Sequence, residues 1–197
     1  MSVIVRRTYW VDGSLDEKWF EVSYRREGEY MKFYPTGEPL HRAFYVNGKL
    51  EGPYYDYFRN GQLRVKAMYV ANKRHGAYTE YYENGQIKFT SFQKKGITEG
   101  PSIIYYPTGQ LWMERSYVNN RIHGVQTSYY ENGGYCDIRH YTHGVLNGKS
   151  TYYYTSGKVF CTANYIDGSL HGEYKEVHED GTIKLLEVYD HDELIMH

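Results

Sequence analysis

Three histidines recur at a constant interval, because His75, His123 and His171 lie 48 residues apart. Histidine is a common metal ligand and acid–base group, so such spacing would suit a shared site if the rings converged. Each interval spans two predicted hairpins, which places neighbouring rings about four strands, or about 19 Å, apart. Since Zn–N bonds are about 2 Å long, one ion could not bridge them. The spacing therefore predicts turn histidines.

The remaining chemically capable groups do not form a recognisable site either. Cys136 and Cys161 fall in neighbouring repeats at a predicted separation of about 10 Å, beyond disulfide reach, so free thiols are expected. The acidic clusters at 178–180 and 191–193 have the composition of turns. No phosphate-binding loop, zinc-protease helix or nucleophile elbow is found. We expect no catalytic residue, no cofactor and no metal site.

Composition favours short strands joined by turns. The 197 residues include 25 tyrosines and 20 glycines. The mean hydropathy is −0.74. Tyrosine is enriched in strands and glycine in turns, whereas a helical protein would be rich in leucine and alanine. A thick aliphatic core is not expected.

Charge and hydrophobic patterning limit which classes of partner the protein can have. Lys and Arg total 23 and Asp and Glu total 24, for a formal charge of −1. This balance provides no overall attraction for nucleic acid, so none is expected as a partner, and it does not favour binding to an anionic lipid surface. No apolar run approaches the roughly 20 residues of a membrane span, and the first ten residues lack a signal-peptide core. We expect a soluble, intracellular protein, cytoplasmic or, if viral, in the host cell or virion.

One glycine recurs every 24 residues, and a second series follows nine residues later. Taking the first glycine as repeat position 0, the pattern predicts seven repeats in a single repeat domain, preceded by a degenerate capping hairpin at 1–27. The repeats are 28–51, 52–75, 76–99, 100–123, 124–147, 148–171 and 172–195.

Aromatic residues occupy repeat positions 5, 6 and 17 in most repeats. A single-layer sheet cannot bury both faces, so at least one of these ladders should be accessible, and accessible tyrosine surfaces bind proteins well. The candidate partner-binding residues are Tyr34, Tyr57, Tyr81, Tyr82, Tyr105, Tyr106, Tyr129, Tyr130, Tyr153, Tyr154, Tyr69, Tyr117, Tyr141 and Tyr165.

Each repeat is predicted to be strand, tight turn, strand and looser turn. The first turn is Arg-Asn-Gly at 59–61 and Pro-Thr-Gly at 35–37. Proline and threonine do not suit a two-residue type I′ loop, so a type I turn with glycine in the left-handed bulge position is expected. The second turn carries Gly or Asn at position 20, and these two residues tolerate left-handed backbone best.

A three-residue first loop predicts which residues share a face. Position 5 would then pair with position 11, and positions 13, 15 and 17 would lie on that same face. Positions 6, 10, 12 and 14 would form a more polar opposite face. A two-residue loop would instead exchange the faces of the first-strand aromatics.

The segment Gly76-Ala-Tyr-Thr-Glu-Tyr-Tyr-Glu-Asn-Gly-Gln-Ile87 carries a family resemblance. Together with the preceding segment from Gly52, it resembles the MORN repeat, in the variant form common in bacterial antitoxin-like proteins and large DNA viruses. The resemblance covers residues 28–190. The period of 24 residues is slightly longer than is usual for that family, and no appended catalytic domain is expected.

The resemblance implies an all-β fold, an elongated, twisted single-layer antiparallel sheet of successive hairpins. It also implies a platform for protein interaction or dimerisation, with lipid binding described for some members. The expected function is therefore a non-enzymatic scaffold that binds an unidentified protein or a second copy of itself through an aromatic face. A lipid-surface module, a sugar-binding face and a toxin-neutralising protein are the alternatives.

Overall fold

The computed structural model describes residues 2–197, and every regular element within them is a β-strand. The strands fall into two compact units, one ending at Ile97 and the other starting at Thr98. Within each unit, strands consecutive in sequence pair antiparallel in a single layer. The predicted all-β fold of successive antiparallel hairpins is confirmed.

The first unit contains eight strands of the described chain. They are β1 (Ile4–Tyr9), β2 (Leu15–Val22), β3 (Arg25–Phe33), β4 (Pro39–Val46), β5 (Lys49–Tyr57), β6 (Leu63–Val70), β7 (Lys73–Tyr81) and β8 (Ile87–Lys94).

The second unit continues the pattern, with two strands interrupted by one residue each, at His123 and Asn147. Its strands are β9 (Ile97–Tyr105), β10 (Leu111–Val118), β11 (Arg121–Ile122), β12 (Gly124–Tyr129), β13 (Tyr135–Thr142), β14 (Val145–Leu146), β15 (Gly148–Tyr153), β16 (Val159–Ile166), β17 (Ser169–Val177), β18 (Ile183–Asp190) and β19 (Glu193–Met196).

The first turn of the repeat has the predicted geometry. In the hairpin of β3 and β4, the Gly37 N–H donates to Tyr34 O at 2.9 Å, and the Tyr34 N–H donates to Glu38 O at 2.8 Å. Gly37 has φ of 94°. This is a type I turn closed by a left-handed glycine bulge, a position where a side chain would be strained.

The second turn is tighter than predicted. Between β4 and β5 only Asn47 and Gly48 are unpaired, with φ of 51° and 77°. Two successive left-handed residues define a type I′ turn, whose twist matches that of the flanking strands. The looser turn expected from the sequence was wrong, because residues such as Ala71 and His143 also adopt positive φ at the first turn position.

Most of these type I′ turns lie beside an acceptor from the residue before the repeat glycine. Glu51 Oε2 accepts from the Ala71 N–H at 2.7 Å, and Glu99 Oε2 accepts from the Asn119 N–H at 2.9 Å. His123 Nδ1 accepts from the His143 N–H at 3.4 Å. A hydrogen bond to a backbone N–H helps to hold a strained turn. His75 Nδ1 accepts from the Lys95 N–H in the same way. His75 and His123 are therefore turn histidines, as predicted.

Both glycine series coincide with irregularities in strand pairing. The pairing of β4 with β5 shifts between Ala43 and Tyr45, opposite the segment that holds Gly52, whose φ is 84°. The second series closes the first turn. Bulges of this kind favour glycine because one residue adopts left-handed backbone. The bulges therefore recur every 24 residues, as the strands do.

A second bulge overturns the predicted assignment of faces. Tyr57 pairs with Leu63, as predicted for positions 5 and 11, but Asp56 pairs with Val65. The extra residue in β6 reverses the alternation of side chains, so positions 13, 15 and 17 pair with positions 4, 2 and 0. Tyr69 therefore lies on the face of Tyr54, and Tyr57 lies on the opposite face. We call these the buried face and the outer face.

The buried face is filled by a central row formed from repeat positions 2 and 15. In the first unit Tyr54 pairs with Ala67, which is 1% exposed, and Ala43 lies between Tyr30 and Tyr54. In this way Tyr54 and Tyr78 each lie beside small residues on both neighbouring strands. The central row of the first unit is Tyr30, Ala43, Tyr54, Ala67, Tyr78 and Ser91.

The second unit reverses these sizes where its sequence departs from the pattern. Ser102 pairs with Arg115 and Gln126 pairs with Arg139, so the larger side chain comes from the second strand. Ser150, which is fully buried, pairs with Ala163. Only the first of these pairs is complementary in size, since Gln126 and Arg139 are both large and Ser150 and Ala163 are both small.

Replacement of a bulge glycine tests the backbone argument. In Gly61→Ala the new Cβ would have no atom within 4 Å. The expected cost is therefore only that of holding an alanine at a φ of 81°. We expect the free energy of unfolding to fall by about 1–2 kcal/mol in urea denaturation. Gln62→Ala, an exposed neighbour with ordinary backbone, should change it by less than about 0.5 kcal/mol. Equal effects of the two substitutions would contradict the assigned role of the bulge.

Candidate functional site

The fourteen candidate tyrosines do not form one surface. All are partly accessible, with neither fully buried nor fully exposed side chains. Those at position 17 lie on the buried face and those at position 5 lie on the outer face, which separates two ladders that were predicted to lie together. Each ladder therefore has its own environment.

The ladder at position 6 links successive repeats. The Tyr106 hydroxyl donates to Tyr129 O at 2.9 Å, and the Tyr130 hydroxyl donates to Tyr153 O at 2.7 Å. Tyr34 makes the same bond to the carbonyl of Tyr57. Each phenol thus satisfies a backbone acceptor in the next repeat. Sequence reasoning missed this role, although the retention of tyrosine at position 6 in five repeats is a usable signal.

The ladder at position 5 forms ring contacts on the outer face. Tyr135, at position 11, lies between Tyr129 and Tyr153, with ring centroids 5.4 and 5.8 Å away. In the first unit Tyr55 and Tyr57 lie 6.4 Å apart. Contacts at these distances stabilise neighbouring strands while leaving ring edges accessible.

The ladder at position 17 packs beside the central row. Tyr69 meets Tyr54 edge to face at 5.5 Å. Where the central row carries arginine, the cation takes the place of the ring, since the guanidinium of Arg115 lies 5.2 Å from the centre of Tyr117. Such cation–π contacts explain how arginine is accommodated on a half-buried face.

Buried phenols are also paired with carboxylates two residues further along the same strand. Tyr54 donates to Asp56 at 2.7 Å, and Tyr78 donates to Glu80 at 2.6 Å. Burial, and then the hydrogen bond to the carboxylate, raises the pKa of both phenols well above the ordinary value. The spacing Tyr-x-Asp/Glu places both groups on one face. These are neutral phenols that anchor buried carboxylates.

One of these pairs extends into a polar cluster. Asp56 contacts His41, accepts from Tyr54, and forms an ion pair with Arg64 at 3.1 Å. Burial opposes the ionisation of Asp56, but the bonds from His41, Tyr54 and Arg64 outweigh it and lower the pKa of the carboxyl group. Every oxygen is engaged by a structural partner.

The outer face of the first unit carries an exposed apolar row that sequence reasoning missed. We call it the apolar stripe, and it comes from repeat positions 1 and 16 on β4 to β8. Pro53 pairs with Met68, and Ala77 pairs with Phe92. Met68 is 43% exposed and Phe92 is 45% exposed. The apolar stripe is Phe44, Pro53, Met68, Ala77 and Phe92.

The corresponding row of the second unit becomes polar after its first repeats. Val125 continues the apolar character and is 47% exposed. Beyond it, positions 16 and 1 are the polar residues His140, Lys149, Asn164 and Glu173, and the last repeat has the apolar Val188 at position 16. The two units therefore present chemically different outer faces on the same backbone pattern.

The structure also bears on the predictions for the cysteines and for membrane-spanning segments. Cys136 and Cys161 are free, as predicted, and Cys161 is buried. Within residues 2–197 there is no helix of the length and apolarity needed to cross a membrane.

A family model described as "MORN repeat variant" matches the chain seven times, which confirms the predicted resemblance. The matches cover residues 26–47, 50–71, 74–95, 98–119, 122–143, 146–167 and 170–191. Among curated proteins none matches the sequence.

Two solved structures share similarity over part of their length. The crystal structure of the GtfA/B complex bound to UDP and GlcNAc is 15% identical, with 66% of this chain and 22% of that chain covered and a TM-score of 0.20. The crystal structure of TcdB2-TccC3-Cdc42 is 14% identical, with 97% and 13% covered and a TM-score of 0.27. The chain thus spans less than a quarter of either matched protein.

The hydroxyls at position 6 should contribute measurably to stability. In Tyr130→Phe the bond to Tyr153 O is lost while the ring remains, so we expect unfolding to be easier by about 0.5–1.5 kcal/mol. Urea denaturation measures the change. Tyr24→Phe is the matched control, because that side chain is 93% exposed. A loss in the control as large as that in Tyr130→Phe would rule out the proposed link between repeats.

Alkaline pH should weaken the fold through the perturbed phenols. Burial and the hydrogen bond to Glu114 raise the pKa of Tyr129 to about 12, from an ordinary value of 10.0. The folded state therefore holds the phenolic proton more tightly, and this stabilisation is complete below pH 10.0 and disappears as pH rises towards about 12. Unfolding free energies across this range should fall, and Tyr129→Phe should reduce the slope. An unchanged slope would contradict this role.

Proposed function

The chain belongs to the MORN repeat variant family, and from that premise we propose that it is a non-enzymatic scaffold that binds a protein through the outer face of its first unit. Repeats of this family commonly mediate protein or membrane interaction. The choice of a protein partner, and of this face, rests on the chemistry of the residues exposed there.

The apolar stripe is the observation that carries the proposal. It places Met68 and Phe92 on a solvated sheet face, and each keeps more than two fifths of its surface accessible. Exposed apolar residues are ordinary when scattered, but a contiguous row across five successive strands is typical of an interaction surface. Methionine and phenylalanine are both enriched at protein interfaces.

The rim of the stripe is polar and carries both signs of charge. Glu29 and Arg42 form an ion pair at 2.6 Å, and Arg42 lies over the ring of Phe44 at 5.4 Å. Lys66 is exposed on the same face. An apolar centre with a mixed polar rim fits a protein surface, whereas an anionic membrane would favour an excess of basic residues.

Two of the candidate tyrosines contribute to this surface. Tyr57 and Tyr81 occupy position 5 on the outer face, at the ends of β5 and β7. Tyrosine offers a large contact area with few rotatable bonds, so its ordering on binding costs little. The proposed surface therefore combines part of the predicted aromatic ladder with the apolar stripe.

The test compares partner capture by the intact chain and a double variant, Met68→Ser/Phe92→Ser. Both side chains are exposed, so the fold should be retained, while loss of two apolar anchors should weaken binding of a captured protein by roughly tenfold or more. The same chain should be examined by sedimentation for self-association, because a second copy is the alternative partner.

The second unit provides the control for this experiment. Lys149→Ser/Glu173→Ser changes polar residues of the equivalent outer-face row and should leave capture intact. A partner retained equally by all three proteins would refute the assignment of the stripe. Binding of the intact chain to neutral or anionic vesicles at physiological salt, with no protein captured, would instead support a membrane role.

A further inference from the structure

The last type I′ turn differs from its equivalents in the chemistry that surrounds it. In the turns at Ala71 and Asn119, a glutamate accepts from the backbone N–H, and in those at Lys95 and His143 a histidine Nδ1 does so. His171 occupies the equivalent position beside the turn that begins at His191. Its Nδ1 atom is shielded from solvent and does not accept from the His191 N–H.

This nitrogen instead faces the carboxylate that precedes the turn. His171 Nδ1 lies 3.1 Å from Asp190 Oδ1, and His191 Nδ1 lies 2.6 Å from the same oxygen. The two imidazole rings are 5.0 Å apart between centroids. Both imidazole rings therefore converge on one carboxylate oxygen.

We propose that His171, Asp190 and His191 form a binding site for a divalent transition-metal ion, with Zn²⁺ as the reference ligand. One donor atom from each residue lies within 4.8 Å of the other two. Bonds of about 2.0–2.1 Å in a tetrahedral site require ligand atoms roughly 3.3 Å apart. The separation of His171 from Asp190 is close to this requirement, and the His191 ring would have to turn to bring its own donor atom to the same separation.

The chemistry of the donors selects the class of ion. Two imidazoles and one carboxylate are preferred by Zn²⁺ and neighbouring transition metals, whereas Ca²⁺ and Mg²⁺ require mainly oxygen ligands. Three protein ligands leave a fourth position for water or for a group from another molecule. All three side chains are more than a third exposed, so an ion can enter directly.

The sequence prediction excluded a metal shared by His75, His123 and His171, and that argument stands because they lie in different hairpins. The new site uses only the last of them. Its other donors come from the turn of the neighbouring hairpin, 19 and 20 residues further along the chain. Sequence spacing did not reveal the site, because the type I′ turn brings repeat position 19 beside the residue that precedes the repeat glycine.

The chain contains its own control for the role of the carboxylate. His123 and His143 form an equivalent pair, with centroids also 5.0 Å apart. The residue that corresponds to Asp190 is Thr142, and His123 Nδ1 is engaged by the His143 N–H. This pair offers two imidazoles without a carboxylate and with one nitrogen occupied, so it should not bind an ion comparably.

Isothermal titration of the metal-free full chain with ZnCl₂ tests the site. We expect one saturable site, with affinity reduced at least about tenfold in Asp190→Asn and in His171→Ala, since loss of even an outer-shell partner costs about 10–100-fold. His123→Ala should leave the affinity unchanged. Because the ion would connect β17 to the turn after β18, saturating Zn²⁺ should also raise Tm of the intact chain and not of Asp190→Asn.

Two results would overturn the proposal. One is the absence of saturable binding by the intact chain. The other is equal affinity in the intact chain and in Asp190→Asn, which would place the ion elsewhere. Circular dichroism of each variant checks its fold, which should be retained because the three side chains are more than a third exposed. Partner capture by the outer face of the first unit is measured separately and does not depend on this result.

Discussion

A single layer of strands must fill one of its faces from its own side chains, and most other features of this molecule depend on that constraint. There is no second layer within either unit to supply a core. The solution is the central row, in which Tyr54 and Tyr78 lie beside Ala67, and its size-reversed counterpart in which Arg115 lies beside Ser102. Since Tyr54 lies beside a small residue of its own repeat and another of the preceding repeat, the row links successive repeats as well as the two strands of each repeat. The hydroxyls at position 6 add a polar connection of the same kind.

The regular backbone on which these rows depend is set by the turns. Left-handed glycines mark the bulge at position 0 and close the first turn, and a further bulge at positions 11 to 13, which contains no glycine, sets the register of positions 2 and 15. A shift of one residue would exchange the buried and outer faces. That is why the glycines repeat more strictly than the residues of the central row, where Tyr, Ser and Gln all occur at position 2. Side chains in the row can compensate for one another in size, whereas a bulge has no equivalent compensation.

These same bulges explain what could and could not be predicted from the sequence. The period, the strands, the first turn and the family follow from glycine and aromatic spacing, because each is a local pattern. The assignment of residues to the two faces does not follow from that spacing. It depends on one extra residue between the pairs Tyr57–Leu63 and Asp56–Val65, and no residue type in the sequence identifies that position as a bulge. The error moved Tyr69 to the wrong face and hid the exposed row of Met68 and Phe92. The His171 cluster was missed for a related reason, because its donors belong to different hairpins and meet only through a type I′ turn.

Departures from the repeat therefore carry more functional information than the repeat itself. The glycines and the ring of position 6 are accounted for by folding alone. Folding does not require particular residues at positions 1 and 16 of the outer face. Yet these positions are apolar across β4 to β8 and polar from His140 to Glu173. Likewise, only the last of the three recurring histidines has both a carboxylate beside it and a ring nitrogen that is free of the turn. A scaffold built from near-identical hairpins can acquire distinct surfaces in this way, since changes at positions 1, 16, 18 and 19 leave the central row and both bulges intact.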